Sequence, residues 1–168
     1  MIAELLVLFV VPALLAASAG WDLASFTIPN FLPIALIAMF GVFVMTTGFA
    51  LSAIGGHALA GLWGLAIGFA LFSFGLIGGG DAKLFAATAL WLGFGNLLEY
   101  VLFTSVIGGA LALALISVRS LPIPATLANQ KWALRLHDSQ GGIPYGVALA
   151  AAALIVLPHT DVFRFAAA

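Results

Sequence analysis

The chain has 168 residues, 64% of them hydrophobic and only 7% charged, with a net charge of −1 and a mean hydropathy of +1.26. Soluble domains are roughly 45–50% apolar and about 25% charged, so the composition excludes an ordinary water-soluble domain and points to an integral membrane protein. The near-zero charge argues against a nucleic-acid partner, and the absence of cysteine removes disulfides, thiolate metal sites and thiol nucleophiles together.

Apolar runs approach ~20 residues without period-two alternation, so the spans are helices rather than barrel strands. A first helix is expected over 2–19. It ends in Ala17-Ser18-Ala19, which imitates a leader cleavage site. But its start carries Glu4 and no Lys or Arg, so an uncleaved first span is the expectation. Residues 20–30 read as a polar loop holding Asp22. Further spans are expected over 31–51 and 57–77. Then comes Gly75-Leu76-Ile77-Gly78-Gly79-Gly80-Asp81-Ala82-Lys83-Leu84-Phe85, where a carboxylate and an ammonium sit among apolar runs. The apolar stretch 84–118 is too long for one crossing at about 1.5 Å per residue. Gly93-Phe94-Gly95-Asn96 breaks it, giving a short fourth span over 82–94 and a fifth over 97–117. Residues 119–142 are the most polar. Within them 127–136 reads either as a short interfacial helix or as an ordinary loop. A sixth span is expected over 143–157.

The fold class is therefore all-α: one membrane-embedded domain, 1–168, a bundle of about six transmembrane helices. Six spans put both termini on one side and the loops holding Asp22, Asp81 and 119–142 on the other. Lys83, Arg119, Lys131 and Arg135 fall on the loop side and Arg164 on the terminal side. The positive-inside rule then makes the loops cytoplasmic and the termini non-cytoplasmic. Asp22 and Asp81, far apart in sequence, should meet the same membrane face.

Two close carboxylates in a low-dielectric setting cannot both ionise cheaply, so they share a proton. The ionised partner can take a proton from water while the protonated one donates to a carbonyl. This is aspartic-protease chemistry, needing neither metal nor cofactor. Glycines at 78, 79 and 80 would let an extended peptide approach and allow backbone conformations closed to other residues. The competing readings are a helix cap at Asp81, a small proton-coupled transporter or channel with Asp22 and Asp81 as relay groups, and an inert assembly partner.

Gly78-x-Gly80-Asp81 matches the G-x-G-D of membrane aspartyl proteases. The run Gly78-Gly79-Gly80-Asp81-Ala82-Lys83-Leu84 resembles the second catalytic motif of type IV prepilin peptidases. Asp22 followed by Ile28-Pro29-Asn30 resembles the first, and Pro144-Tyr145-Gly146-Val147-Ala148 resembles the run that opens the last span in short members. Length and lack of cysteine resemble the short Tad/Flp-pilus type rather than the long bifunctional enzymes. The resemblance implies a multi-pass inner-membrane endopeptidase. Asp22 and Asp81 would be the catalytic pair, removing the basic leader of a prepilin just before its hydrophobic segment. Gly78, Gly79, Gly80, Lys83, Pro29, Asn30 and Tyr145 would bind substrate or shape the backbone. The partners would be the prepilin and the lipid bilayer. One departure is the uncharged run Leu23-Ala24-Ser25-Phe26-Thr27, where family members often carry basic residues. Pro12-Ala13-Leu14 imitates a presenilin motif but precedes both aspartates.

Lys83 reads either as a snorkelling anchor or as a charge that tunes Asp81 or holds substrate. Tyr145, with Trp21 and Trp132, reads as an interfacial aromatic or as part of a substrate groove. Glu99 reads as interfacial. His57, His137 and His159 have no ligand spacing, so no metal is expected. Gly64-x-x-x-Gly68 reads as a helix-packing motif.

Overall fold

The computed structural model describes residues 1–124, 126–138 and 141–168. All regular structure among them is helical. Helix α1 covers Ile2–Ser25. Its second and third turns, Leu5–Val10, are π-helical. Pro12 lacks an N–H, and a proline ring crowds the carbonyl four residues back, which accounts for the widened turns just before it. Helix α2 is Phe31–Thr47, α3 is Leu51–Ser73 and α4 is Gly79–Leu92. After a 3₁₀ turn at Phe94–Asn96 comes α5, Leu97–Arg119. A short α6, Lys131–His137, precedes α7, Tyr145–Val156, and α8, Asp161–Ala167.

Among the described residues, three helices are long and apolar enough to cross a membrane: α1, α3, and α5 with its leading turn. A fourth candidate is α7 with α8, joined through a 57° bend. The 17 residues of α2 and 14 of α4 reach only about 25 and 21 Å at 1.5 Å per residue. Among the described residues, an apolar helix lies at each of the six expected positions, but three or four candidate spans stand where six were expected.

Several expected boundaries shift. The polar loop placed at 20–30 begins later, because α1 runs on to Ser25. Gly20 weakens a helix by only about 1 kcal/mol, and nothing near it blocks helical hydrogen bonding. The stop comes at Phe26, which takes the left-handed conformation (φ 54°) and donates its N–H to the Asp22 carbonyl at 2.7 Å. Asp22 therefore sits in the last turn of a helix and not on a loop. Helix α3 starts six residues earlier than expected, so His57 lies within it. That residue is buried, with Nδ1 2.8 Å from the Leu90 carbonyl. The polar 119–142 segment does contain a short helix. Helix α8 was not expected at all. Pro158 ends the preceding helix, and the Thr160 hydroxyl accepts from the Phe163 N–H at 3.3 Å to start the new one.

The centre of the bundle is α4, buried along nearly its whole length and packed by α2, α3, α5 and α7. A helix wrapped by protein need not match the bilayer thickness, which explains its shortness. Its closest neighbour is α3. A Cβ on Gly64 would lie 2.9 Å from the Ala89 Cβ and 3.1 Å from the Ala86 Cα, and one on Gly68 would lie 3.0 Å from the Ala82 carbonyl oxygen. The Gly64/Gly68 stripe thus lets two backbones touch, as small-residue motifs do. At the C-terminal end of α4, Trp91 donates Nε1–H to the Leu36 carbonyl at 2.8 Å and meets Phe40 edge-on. The N-terminal turns of α1 pack on α8, so both chain ends share one end of the bundle. The opposite end carries the last turn of α1, the first turn of α4 and the first turn of α7.

Candidate active site

Those three helix ends bring the two aspartates together. Asp22 and Asp81 are both buried and line one cavity of about 240 Å³, with Phe26, Thr27, Ile28 and Gly78, Gly79 and Gly80.

Each carboxylate is held by backbone amides. Asp81 is the third residue of α4, and its Oδ2 accepts the Gly78 N–H at 3.0 Å. This is the N3 half of a capping box. Its other oxygen, Oδ1, is buried and accepts no hydrogen bond from the described residues. Asp22 Oδ2 accepts the Gly146 N–H at 2.7 Å. Gly146 stands in the first turn of α7, where an amide has no partner inside the helix, so Asp22 closes the end of a helix from another part of the chain. The N-terminal ends of α4 and α7 both face the pair, and helix N-termini favour negative charge.

The glycines serve space more than unusual dihedrals. Gly78, Gly79 and Gly80 have no positive φ; in that turn only Gly75 does, at 70°. The expectation that 78–80 adopt conformations closed to other residues is not met. What crowds these glycines is the chain itself, at two positions. A Cβ on Gly80 would lie 3.1 Å from the Ile28 Cβ and 3.2 Å from its backbone N. A Cβ on Gly78 would lie 3.0 Å from Asp81 Oδ2. The Ile28 segment is laid over the glycine corner by the left-handed turn at Phe26. A non-glycine residue there costs on the order of 1 kcal/mol, strain of the kind that gathers at functional sites.

The other expected site residues stand outside this cavity. Lys83 donates Nζ to Asn30 Oδ1 at 2.8 Å, tying α4 to the start of α2. Both line a separate apolar groove of about 640 Å³ between α2, α3 and α4. The Pro29 carbonyl accepts the Leu32 N–H at 3.1 Å and opens α2. Tyr145 lines a third, apolar cavity of about 420 Å³ with Ile77, Phe85 and Thr104, and its ring covers Gly108 of α5. Trp21 and Trp132 are exposed. Glu99 pairs with His159 at 3.1 Å near the far end. Among the described residues, no three His, Asp or Glu gather to hold a metal ion.

Sequence reasoning missed Gly146 as a site residue. Its signal was present: Pro144-Tyr145-Gly146 opens a helix at the same face as both aspartates. A Cβ there would lie 2.8 Å from Asp22 Oδ2 and 2.7 Å from Ile28 Cδ1. It missed, too, the buried hydroxyls of Tyr100, Thr88 and Thr104 on the far side of Phe85.

The fold and the site define an all-helical membrane protein with two carboxylates at one glycine-lined cavity. The chain belongs to the type IV leader peptidase family, whose model matches residues 9–113, a range that holds both aspartates and ends before Gly146. No curated protein and no solved structure matches the chain.

Proposed function

We propose that this peptidase is an aspartic endopeptidase acting on type IV prepilins. It removes the leader at the cytoplasmic face of the inner membrane, with Asp22 and Asp81 as the catalytic pair and, by resemblance, a Flp-type pilin as substrate. The observation that carries the reading is the shared cavity, in which two buried carboxylates from distant helices stand beside glycine backbone. Held by backbone amides at low dielectric, the pair retains one proton between them. The ionised carboxylate takes a proton from a water as the water attacks the scissile carbonyl. The protonated one donates to the carbonyl oxygen. When the tetrahedral intermediate collapses, a proton passes to the leaving amine. The Gly146 N–H fixes the orientation of Asp22 throughout. Gly80 lets the Ile28 segment lie directly against the corner beside Asp81.

The cytoplasmic assignment follows the distribution of charge. Lys83, Arg119, Lys131 and Arg135 lie at the aspartate end, and Arg164 lies at the other, as the positive-inside rule requires. On this reading α4 crosses packed in protein and not against the full bilayer thickness, whereas α2, which leaves Ile34, Ile37 and Met45 exposed, crosses with one face toward lipid.

The test is cleavage by the purified chain in liposomes of a peptide joining a basic leader to a hydrophobic segment. A single cut that persists in chelator and after serine- and thiol-directed reagents supports aspartic chemistry. Loss of the cut with chelator, restored by added metal, contradicts it.

A further inference from the structure

The segment leading into α7 is held by one side chain that the proposed chemistry does not use. Arg119, the last residue of α5, donates three hydrogen bonds to backbone carbonyls. Nε reaches Leu136 at 2.8 Å, Nη1 reaches Gly141 at 3.1 Å and Nη2 reaches Gly142 at 2.7 Å. Leu136 lies near the end of α6, and the two glycines stand just before α7. One rigid, planar fork therefore ties three points of the polar segment to the end of a candidate spanning helix. Gly141 fits this clamp tightly: a Cβ on it would lie 3.0 Å from the Asp138 carbonyl oxygen and 3.2 Å from that of Arg135.

From the clamp to the aspartate pair is a short and stiff path. After Gly142, the Tyr145 N–H bonds back to the Ile143 carbonyl at 2.8 Å. Pro144 between them has φ −74° and ψ 81°, an inverse γ-turn whose φ the proline ring fixes. Tyr145 then begins α7, and the next amide, Gly146, is the one on Asp22. On the other side of the segment, Arg135 of α6 donates Nη1 to the Ala24 carbonyl at 3.3 Å, in the last turn of the helix that carries Asp22.

We infer that Arg119 is a positioning residue for the aspartate pair: through Gly142 and the Pro144 turn it sets where α7 begins, and so holds the Gly146 N–H on Asp22. This rests on the peptidase reading above. It adds a residue outside the matched family range that touches neither substrate nor aspartate.

The test uses the full chain in liposomes, with Arg119→Gln and Arg119→Lys. Amide exchange at 143 and 145–147 is expected about tenfold faster or more in both variants, with the middle of α5 exchanging as in wild type. Leader cleavage should lose about tenfold or more in kcat with KM within about twofold, because displacing a reacting group by even about 1 Å is costly. Lysine keeps the charge but not the fork, so it should behave like glutamine. Wild-type exchange and kcat in Arg119→Gln would overturn the inference, as would full recovery by lysine. Faster exchange through all helices would also overturn it, making Arg119 a general folding residue. Asp22→Asn and Asp81→Asn run alongside. If those two cleave normally, the peptidase mechanism fails, while the exchange data still decide what Arg119 positions.

Discussion

Replacing Gly146 with alanine tests the link between helix geometry and chemistry. The added Cβ would stand 2.8 Å from Asp22 Oδ2 and 3.0 Å from the Asp22 Cβ, against an ordinary contact of 3.4–4 Å. Its contact with Ile28 Cδ1 at 2.7 Å is with the end of a flexible side chain and can relax. The contact with Asp22 cannot relax without moving the carboxylate by roughly half an ångström, which stretches the 2.7 Å bond from the Gly146 N–H toward about 3.2 Å, the long end of the hydrogen-bond range, and re-aims the carboxylate. A hydrogen bond to a charged group contributes about 1.5–3 kcal/mol. If the bond is needed to orient the attacking pair, kcat should fall about 10- to 100-fold. Alanine is about 1 kcal/mol better than glycine within a helix, so α7 itself does not suffer. Thermal unfolding in detergent should therefore stay within a few degrees of wild type. The assay is steady-state cleavage of a leader–hydrophobic-segment peptide in liposomes, with unfolding followed on the same preparation. A folded Gly146→Ala protein with wild-type kcat would refute the role given to this amide.

Lys83→Met and Asn30→Ala should each reduce kcat/KM by about fivefold. The double variant should be no worse than either alone, because they share one charge-assisted hydrogen bond that steadies the Ile28 segment; additive losses in a double-mutant cycle would contradict that. Gly64→Val places a side chain where a Cβ already meets the Ala86 Cα at 3.1 Å, and overpacking of this kind costs about 1–3 kcal/mol. Its unfolding temperature should drop, while kcat of the folded fraction is retained; unchanged unfolding would show that α3 and α4 can separate freely.

The membrane character and the helical class were legible because both follow from the amount and periodicity of apolar residues. The parity of the expected spans likewise placed Asp22 and Asp81 at one end of the bundle, while their meeting in one cavity became visible only in the fold. Helix ends were less legible. Asp22 was expected on a loop because Gly20, Trp21 and Asp22 look polar, yet α1 ends only where Phe26 adopts a left-handed conformation, a choice imposed by packing and not by residue type. The roles of the glycines at 78 and 80 depend on what lies opposite them, Asp81 and Ile28, and a single chain read in order does not show what lies opposite. Gly146 and Arg119 were hidden for the same reason. Each acts on a partner far away in sequence, Asp22 in one case and a run of backbone carbonyls in the other, and carbonyls leave no trace in residue identity.

The central claim is that Asp22 and Asp81 together cleave a prepilin. Its most direct measurement is co-expression of the chain with a Flp-type prepilin, comparing wild type, Asp22→Asn and Asp81→Asn. Product is followed by mobility shift and N-terminal sequencing, with membrane insertion checked for each variant. One cut before the hydrophobic segment is expected with wild type and none with either inserted variant. Full processing by either variant, or no processing by an inserted and folded wild-type chain, would contradict it.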